Sequence, residues 1–421
     1  MVDVWLPYGE TEVCLRVPTR NFLGCLEPLG EKAAQDAEAE IGRALKEPIG
    51  SKQLKEIVRS GNKVVVVVED CFAREPIHLM VSCLLDELNK AGVSDECVTV
   101  ILGCGMRRAF GDEAFRVLGD DVVKRVRVIS HDCRAADNVY VGMTNFGNKV
   151  YLNRFFVEAD VKILTGLLGF HWCAGYGGGR SGVIPGVAGE ETIKHNSAMI
   201  LNANAKIGFL DGNPVHMDML EAARLAKVDF ILNVLLGRRG DVVRAFAGDV
   251  EQAFYEGVKL IDEIYRTPVY RRADIVVVSP GGKPYDLTLS QALMAVEGAL
   301  EVVKRGGVVI LAAECIGGYG DEVFRDWMVK FKDLKAVERE FRQNPVFGGH
   351  SAYHLLRALQ KAQIILVSAM PDYYAVNVFR LKTARTVNEA LNEAFKILGE
   401  NSKVLVMPYG NFTLPEVKAD D

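Results

Sequence analysis

Residues 64–76 read Val-Val-Val-Val-Val-Glu-Asp-Cys-Phe-Ala-Arg-Glu-Pro, from Val64 to Pro76, and this stretch decides the fold class. Five consecutive β-branched residues without polar alternation describe a strand buried on both faces, the situation of a parallel strand covered by helices. Working outward, Val98–Leu102, Val126–Ile129, Val161–Thr165 and Phe230–Leu235 are apolar runs of the same kind. Ile77–Ala91 and Met217–Ala226, between them, carry helical spacing. That alternation predicts an α/β unit with a mainly parallel sheet. A polar stretch with a proline follows Tyr265, and then the pattern restarts. Ile275–Val278, Val308–Leu311 and Ile364–Val367 read as strands, separated by helices over Leu289–Lys304 and Asp321–Phe331. At 421 residues the chain exceeds one ordinary core. The expectation is therefore two Rossmann-like α/β domains, 1–268 and 269–421, with a cleft between them. Val404–Met407 is a last strand that suits either sheet.

The balance of 49% hydrophobic and 25% charged residues is that of a globular chain. A net charge of −5, with no basic run, argues against nucleic acid as a partner. No run approaches the roughly 20 apolar residues of a membrane span. Met1–Tyr8 lacks the basic and apolar regions of a secretory signal, so a cytoplasmic address is expected. Nine cysteines, scattered and without a Cys-x-x-Cys pair, exclude a zinc ribbon or a disulfide framework.

Three segments carry side chains suited to chemistry. In Glu69–Pro76, directly after the valine strand, Asp70 and Arg74 stand where open parallel sheets bind ligands, and Arg74 suits a substrate carboxylate. The plain alternative is a helix cap and an internal ion pair. In Phe170–Gly182, five glycines in eight residues, Gly177, Gly178 and Gly179 among them, suit a backbone cradle for an anion, or a turn that merely reverses the chain. The match to a dinucleotide fingerprint fails, because position 202 is Asn where an acid is needed. His171 enters this loop and is the candidate general base. The third segment, Ser279–Asp286, is a glycine turn before a helix, either an anion site or a strand-to-helix turn capped by Asp286.

Taken in order, these segments resemble the nickel-dependent lactate racemase family. The likeness includes Gly105-Met106-Arg107-Arg108, His131-Asp132, Ala174 to Arg180, Ile184 to Gly189, Glu191-Thr192-Ile193, Gly212-Asn213-Pro214, Ala247-Gly248-Asp249 and Gly348-Gly349-His350. The resemblance implies inversion of 2-hydroxy acids by hydride removal and return. It further implies a nickel-pincer nucleotide held by a lysine and a metal-binding histidine, and partner proteins that build that cofactor. Carried over, His171 is an acid–base histidine, Arg74 holds the substrate carboxylate, Asp70 matches loosely, and Gln291 matches a substrate-side glutamine. Gly177, Gly178, Gly179 and Arg180 fall in the cofactor loop.

The departures are chemical. Arg107 stands at the second acid–base histidine, Ser181 at the anchoring lysine, Ser197 at the nickel-binding histidine and Met294 at a further lysine. Serine forms no comparable covalent link and is a poor nickel ligand, so a pincer nucleotide bound here would be non-covalent. His195 is the candidate replacement ligand, although two residues along a helix turn it about 200° from Ser197. Arg107 keeps its charge and suits a second anionic group, which points to a more acidic substrate than lactate. The reading is a divergent racemase or epimerase of a 2-hydroxy acid. Its alternatives are a hydroxy-acid enzyme with another cofactor and a non-catalytic hydroxy-acid-binding protein.

Overall fold

The computed structural model describes residues 1–69, 74–107 and 117–418, the side chains of Arg74 and Glu75 excepted. Asp70 and Cys71 thus lie outside the described residues, as does the Arg74 side chain. The chain forms two compact units, Glu31–Asp262 and Met1–Gly30 with Glu263–Asp421.

In the unit Glu31–Asp262 a six-stranded sheet runs in the order Val242–Gly248, Phe230–Leu236, Val161–Leu168, Val64–Val68, Val98–Leu102, Arg127–Ser130. All neighbours are parallel except Val242–Gly248, which is antiparallel to Phe230–Leu236. All five valines are buried, as a strand covered on both faces requires. Val64, Val66 and Val68 share a core with Ile77, Met80, Val81, Leu84, Leu85 and Leu88 of the helix Arg74–Lys90. Those helical positions fall three and four apart and form one apolar stripe. Each contributes roughly 1.5–3 kcal/mol on burial. On the opposite face Val67 Cγ1 is 3.5 Å from where a Cβ on Gly182 would stand.

The second unit has an all-parallel sheet ordered Lys382–Thr383, Gln363–Val367, Val303–Ala312, Ala273–Val278, Val404–Met407, Phe22–Cys25. Val404–Met407 therefore joins this sheet. The first thirty residues also belong here rather than with residues 31–262, a division the periodicity does not reveal. Phe22–Cys25 is the edge strand, and the hairpin Val2–Tyr8/Thr11–Val17 places Val4, Leu6, Leu15 and Val17 against Val387, Ala390, Leu391 and Ala394. Pairing across nearly four hundred residues leaves no local mark in the sequence. Among the described residues no helix is long and apolar enough to cross a membrane.

The tip of that hairpin corrects the reading of Ser279–Asp286 as an anion site. The Ser279 hydroxyl donates to Pro7 O, and Lys283 N–H donates to Gly9 O at 2.9 Å. Asp286, fully buried, accepts from the amides of Gly9 (2.7 Å) and Glu314 (3.1 Å) through one carboxylate oxygen. The turn is filled by the chain itself, and Thr288, not Asp286, caps the following helix. Asp286→Ala leaves two buried amides without an acceptor and is expected to lower stability by about 2–4 kcal/mol. Asp286→Asn, which keeps an acceptor oxygen, should recover most of that; equal urea midpoints for both variants would refute the clasp.

Candidate functional site

The site is placed by strand order. From Val64–Val68 the chain steps to Val98–Leu102 and Arg127–Ser130 on one side, then returns to Val161–Leu168 and Phe230–Leu236 on the other. The order reverses between Val64–Val68 and Val161–Leu168, and open α/β sheets bind ligands outside the carboxyl ends of the strands at such a point. Glu69, the segment Gly103–Arg107 and the glycine segment all leave the sheet there. Gly103 N–H donates to Val68 O at 2.8 Å, and Gly105 N–H to Gly186 O at 3.3 Å, which ties these loops together. Arg107 is exposed just beyond.

The glycine segment is packed more than it is open. A short hairpin, Phe170–His171 with Gly175–Tyr176, leads into a tight helical turn, Gly179–Gly182. A Cβ on Gly166, in the strand beneath, would stand 2.6 Å from Gly179 N and 2.8 Å from Gly178 Cα. Backbone lies on backbone, and side chains on these glycines would separate the layers. Gly177 N–H donates to Gly169 O (2.9 Å), Gly179 N–H to Asn233 Oδ1 (2.9 Å) and Ser181 N–H to Gly178 O (3.3 Å). Those three amides are spent inside the protein and are not offered to an anion.

Arg180 explains the shape of the segment. It is fully buried, and its guanidinium donates to Ala174 O (3.2 Å), Tyr176 O (2.9 Å) and Gly178 O (3.2 Å) while lying 4.0 Å over the Phe254 ring. Burial pulls its pKa down to about 10, with the Glu69 carboxylate opposing, so the charge persists at neutral pH. Of its nitrogens only Nε is without a partner among the described residues, which leaves little for a cofactor phosphate. Ser181 is buried, its hydroxyl 3.4 Å from Gly178 O.

His171 is half-buried and its ring stacks on Trp172. Nδ1 accepts from the amides of Ala174 (3.2 Å) and Cys173 (3.4 Å). Two donors facing Nδ1 place the proton of the neutral ring on Nε2, a tautomer assigned from these bonds. In this state His171 presents a donor, not a base. The Cys173 thiol beside it is fully buried and its pKa is raised by desolvation, so it is no thiolate nucleophile.

His195, Ser197 and Gln291 lie on helices. His195 is exposed and its Nε2 lies 3.0 Å from Phe146 O. Ser197 is half-buried on the same helix, Glu190–Ala198. Gln291 belongs to the other unit, where its side-chain oxygen accepts from the Thr288 hydroxyl (2.9 Å) at a helix N-terminus. The motif reading also missed buried polar residues in this unit. His216 is held by Tyr255 OH (3.0 Å), stacks on Phe254, and is kept neutral by burial and by Arg180, its pKa pushed down to about 2. Asn213, beside it in sequence, caps the helix Pro214–Leu225 and donates to Cys173 O at 2.8 Å. The helix-start pattern Asn213-Pro214 was the available signal.

Comparison with known proteins bears on the whole chain. Residues 8–208 match the lactate racemase N-terminal domain and residues 269–413 the lactate racemase C-terminal domain. A lactate racemase of Thermoanaerobacterium thermosaccharolyticum is 32% identical over 420 residues, covering 97% of this chain and 98% of that protein. The chain belongs to the lactate racemase family. The lactate racemase of Lactiplantibacillus plantarum is 29% identical over 422 residues, with 97% and 99% covered. The apoprotein structure from T. thermosaccharolyticum superposes with a TM-score of 0.91 at 31% identity, covering 99% of this chain and all of that one. A Thermotoga maritima protein, at 20% identity and TM-score 0.68, shares the fold.

A nickel nucleotide, which the family resemblance implies, does not fit the residues this chain offers. Ser181 has a hydroxyl where an amine is required. Ser197 supplies a neutral hydroxyl oxygen, a poor partner for nickel beside soft donors. Among the described residues no group of three or more His, Cys, Asp or Glu is placed to hold a metal ion.

Proposed function

We propose that this chain is an isomerase of the racemase or epimerase type, acting on a 2-hydroxy acid that carries a second anionic group. Family membership over nearly the whole length supports the reaction class. The observation that carries the site is His171, half-buried on the hairpin that follows the strand Val161–Leu168, whose Nδ1 is held by the amides of Cys173 and Ala174 so that the ring carries its proton on Nε2. Such a donor suits the C2 hydroxyl oxygen of the substrate. Arg107, at the end of the strand two places away, suits the second anion through a forked, permanently charged guanidinium. Arg74 is proposed for the C1 carboxylate, and Asp70 for the acidic residue that precedes it in the site, on the resemblance alone.

In this reading the C2 hydrogen leaves as a hydride to a dissociable oxidised pyridine nucleotide, giving the 2-keto acid and the reduced nucleotide, and returns from that nucleotide to the other face, which regenerates the acceptor. Incubating single enantiomers of 2-hydroxysuccinate and lactate with the protein and an oxidised pyridine nucleotide in D2O tests this. Inversion with protium retained at C2 supports it; deuterium at C2 would mean proton abstraction, and no inversion of any hydroxy acid would overturn the isomerase reading. The lack of fit for nickel favours a second reading, a hydroxy-acid-binding protein or an enzyme with another cofactor. Saturable binding without turnover marks the former.

Arg107→Ala should weaken binding of the doubly anionic acid about 10- to 100-fold, the loss of one charge-assisted contact, and leave lactate unchanged. Titration calorimetry with both acids decides it. An equal loss for both would place Arg107 on the shared carboxylate instead.

A further inference from the structure

We infer that this chain does not retain the nickel nucleotide in the manner the family resemblance implies, because Ser181 does not supply the covalent anchor, and neither Ser197 nor a histidine of the unit Glu31–Asp262 supplies the metal ligand. The inference rests on family membership and stands apart from the substrate reading.

The anchor fails on chemistry and on packing. A lysine amine forms a stable amide-type bond to an acyl carbon, whereas a serine hydroxyl yields at most a hydrolysable ester. Ser181 is 4% exposed and sits inside a turn clamped from beneath by Gly166 and from the side by Arg180. Lys194, on the helix Glu190–Ala198, is already paired with Glu190 at 3.3 Å.

The metal ligand fails because the phase of that helix is locked. Asn196, between His195 and Ser197, points inward and donates to Val215 O (3.1 Å) and Asp218 Oδ2 (2.8 Å). Asp218, fully buried, also accepts from the Thr144 hydroxyl (2.6 Å) and from Asn148 Nδ2 (2.8 Å). On the same helix the Thr192 hydroxyl donates to Lys149 O at 2.7 Å. Rolling the helix by the roughly 200° that separates His195 from Ser197 would tear Asn196 from this buried network. The other histidines of the unit are committed elsewhere. His131 is buried between Ala188 O (2.8 Å) and Asn153 (3.2 Å), His78 contacts Asp121 (3.0 Å), His216 is buried against Tyr255, and His171 has its Nδ1 filled.

The test is to co-produce the intact chain with proteins that build the nickel nucleotide, desalt it, and measure nickel by elemental mass spectrometry and chain mass by intact-protein mass spectrometry. A lactate racemase loaded in parallel is the control. The expected result is nickel at the background of a preparation made without those proteins, and an unmodified chain mass. Stoichiometric nickel, or an adduct of nucleotide mass, overturns the inference. In the same experiment the double substitution Ser181→Lys with Ser197→His should gain nickel and mass. A folded double variant that gains neither would show that these two positions are not the cause. Hydroxy-acid turnover, followed on the same preparations, fails or succeeds independently of the metal readout.

Discussion

Arg180→Met is expected to lower the stability of the unit Glu31–Asp262 by about 3–5 kcal/mol, the range seen when one member of a buried charged network is removed. The guanidinium bridges the carbonyls of Ala174, Tyr176 and Gly178, alternate residues of one loop, and covers Phe254. Methionine restores the apolar volume and none of the three bonds. Glu69, whose charge favours the charged form of Arg180, would lose its compensation. Arg180→Lys should fail almost as badly, because a single ammonium on a flexible stem cannot reproduce a planar fork aimed at three acceptors. The measurement is a urea titration, with hydrogen exchange at 170–182 to place the loss. If Arg180 instead served a phosphate, both variants would keep the wild-type midpoint and lose only ligand affinity. That outcome would end the account of Arg180 as the clasp of its loop.

The fold was legible because burial on both faces writes itself into Val64–Val68 and its counterparts, and because helices such as Arg74–Lys90 repeat their apolar residues at three and four. The place of the first thirty residues was not. Phe22–Cys25 finds its partner at Val404–Met407, and an edge strand of four residues has no periodicity strong enough to announce its sheet. The residues around the switch point were legible, and the packing beneath them was not. His171 and Arg107 do leave the sheet at the carboxyl ends of its strands. Glycine content in Gly175–Gly182, however, suits two opposite demands, amides left open for an anion and backbones pressed together, and the sequence is the same for both. Only the partner across the gap decides, and here that partner is Gly166, whose own sequence context inside Val161–Leu168 looks like any strand residue. Asp218 and Asn196 were missed for a related reason: a buried polar network has no spacing rule, since its members come from three separate segments.

Gly166→Ala should therefore be far more damaging than an alanine in a strand usually is. Its Cβ would lie 2.6 Å from Gly179 N and 2.8 Å from Gly178 Cα, both backbone atoms that cannot rotate away. The segment must lift, and lifting it breaks the bond from Gly179 N–H to Asn233 Oδ1, whose residue pairs with Gly166 in the sheet. Overpacking of this kind costs about 1–3 kcal/mol, and the lost buried hydrogen bond adds roughly 1 kcal/mol. His171 lies on the hairpin that feeds the lifted segment, so hydroxy-acid binding should fall together with stability. Gly169→Ala is the matched control, three residues on, where a Cβ would meet nothing within 4 Å; its effect should stay within about 0.5 kcal/mol. Urea midpoints of the two variants separate the explanations cleanly. A large gap between them means that the glycines serve contact between backbone layers. Equal midpoints, with ligand affinity lost only in Gly166→Ala, would mean the segment is free to move and that its glycines are kept for a bound anion after all.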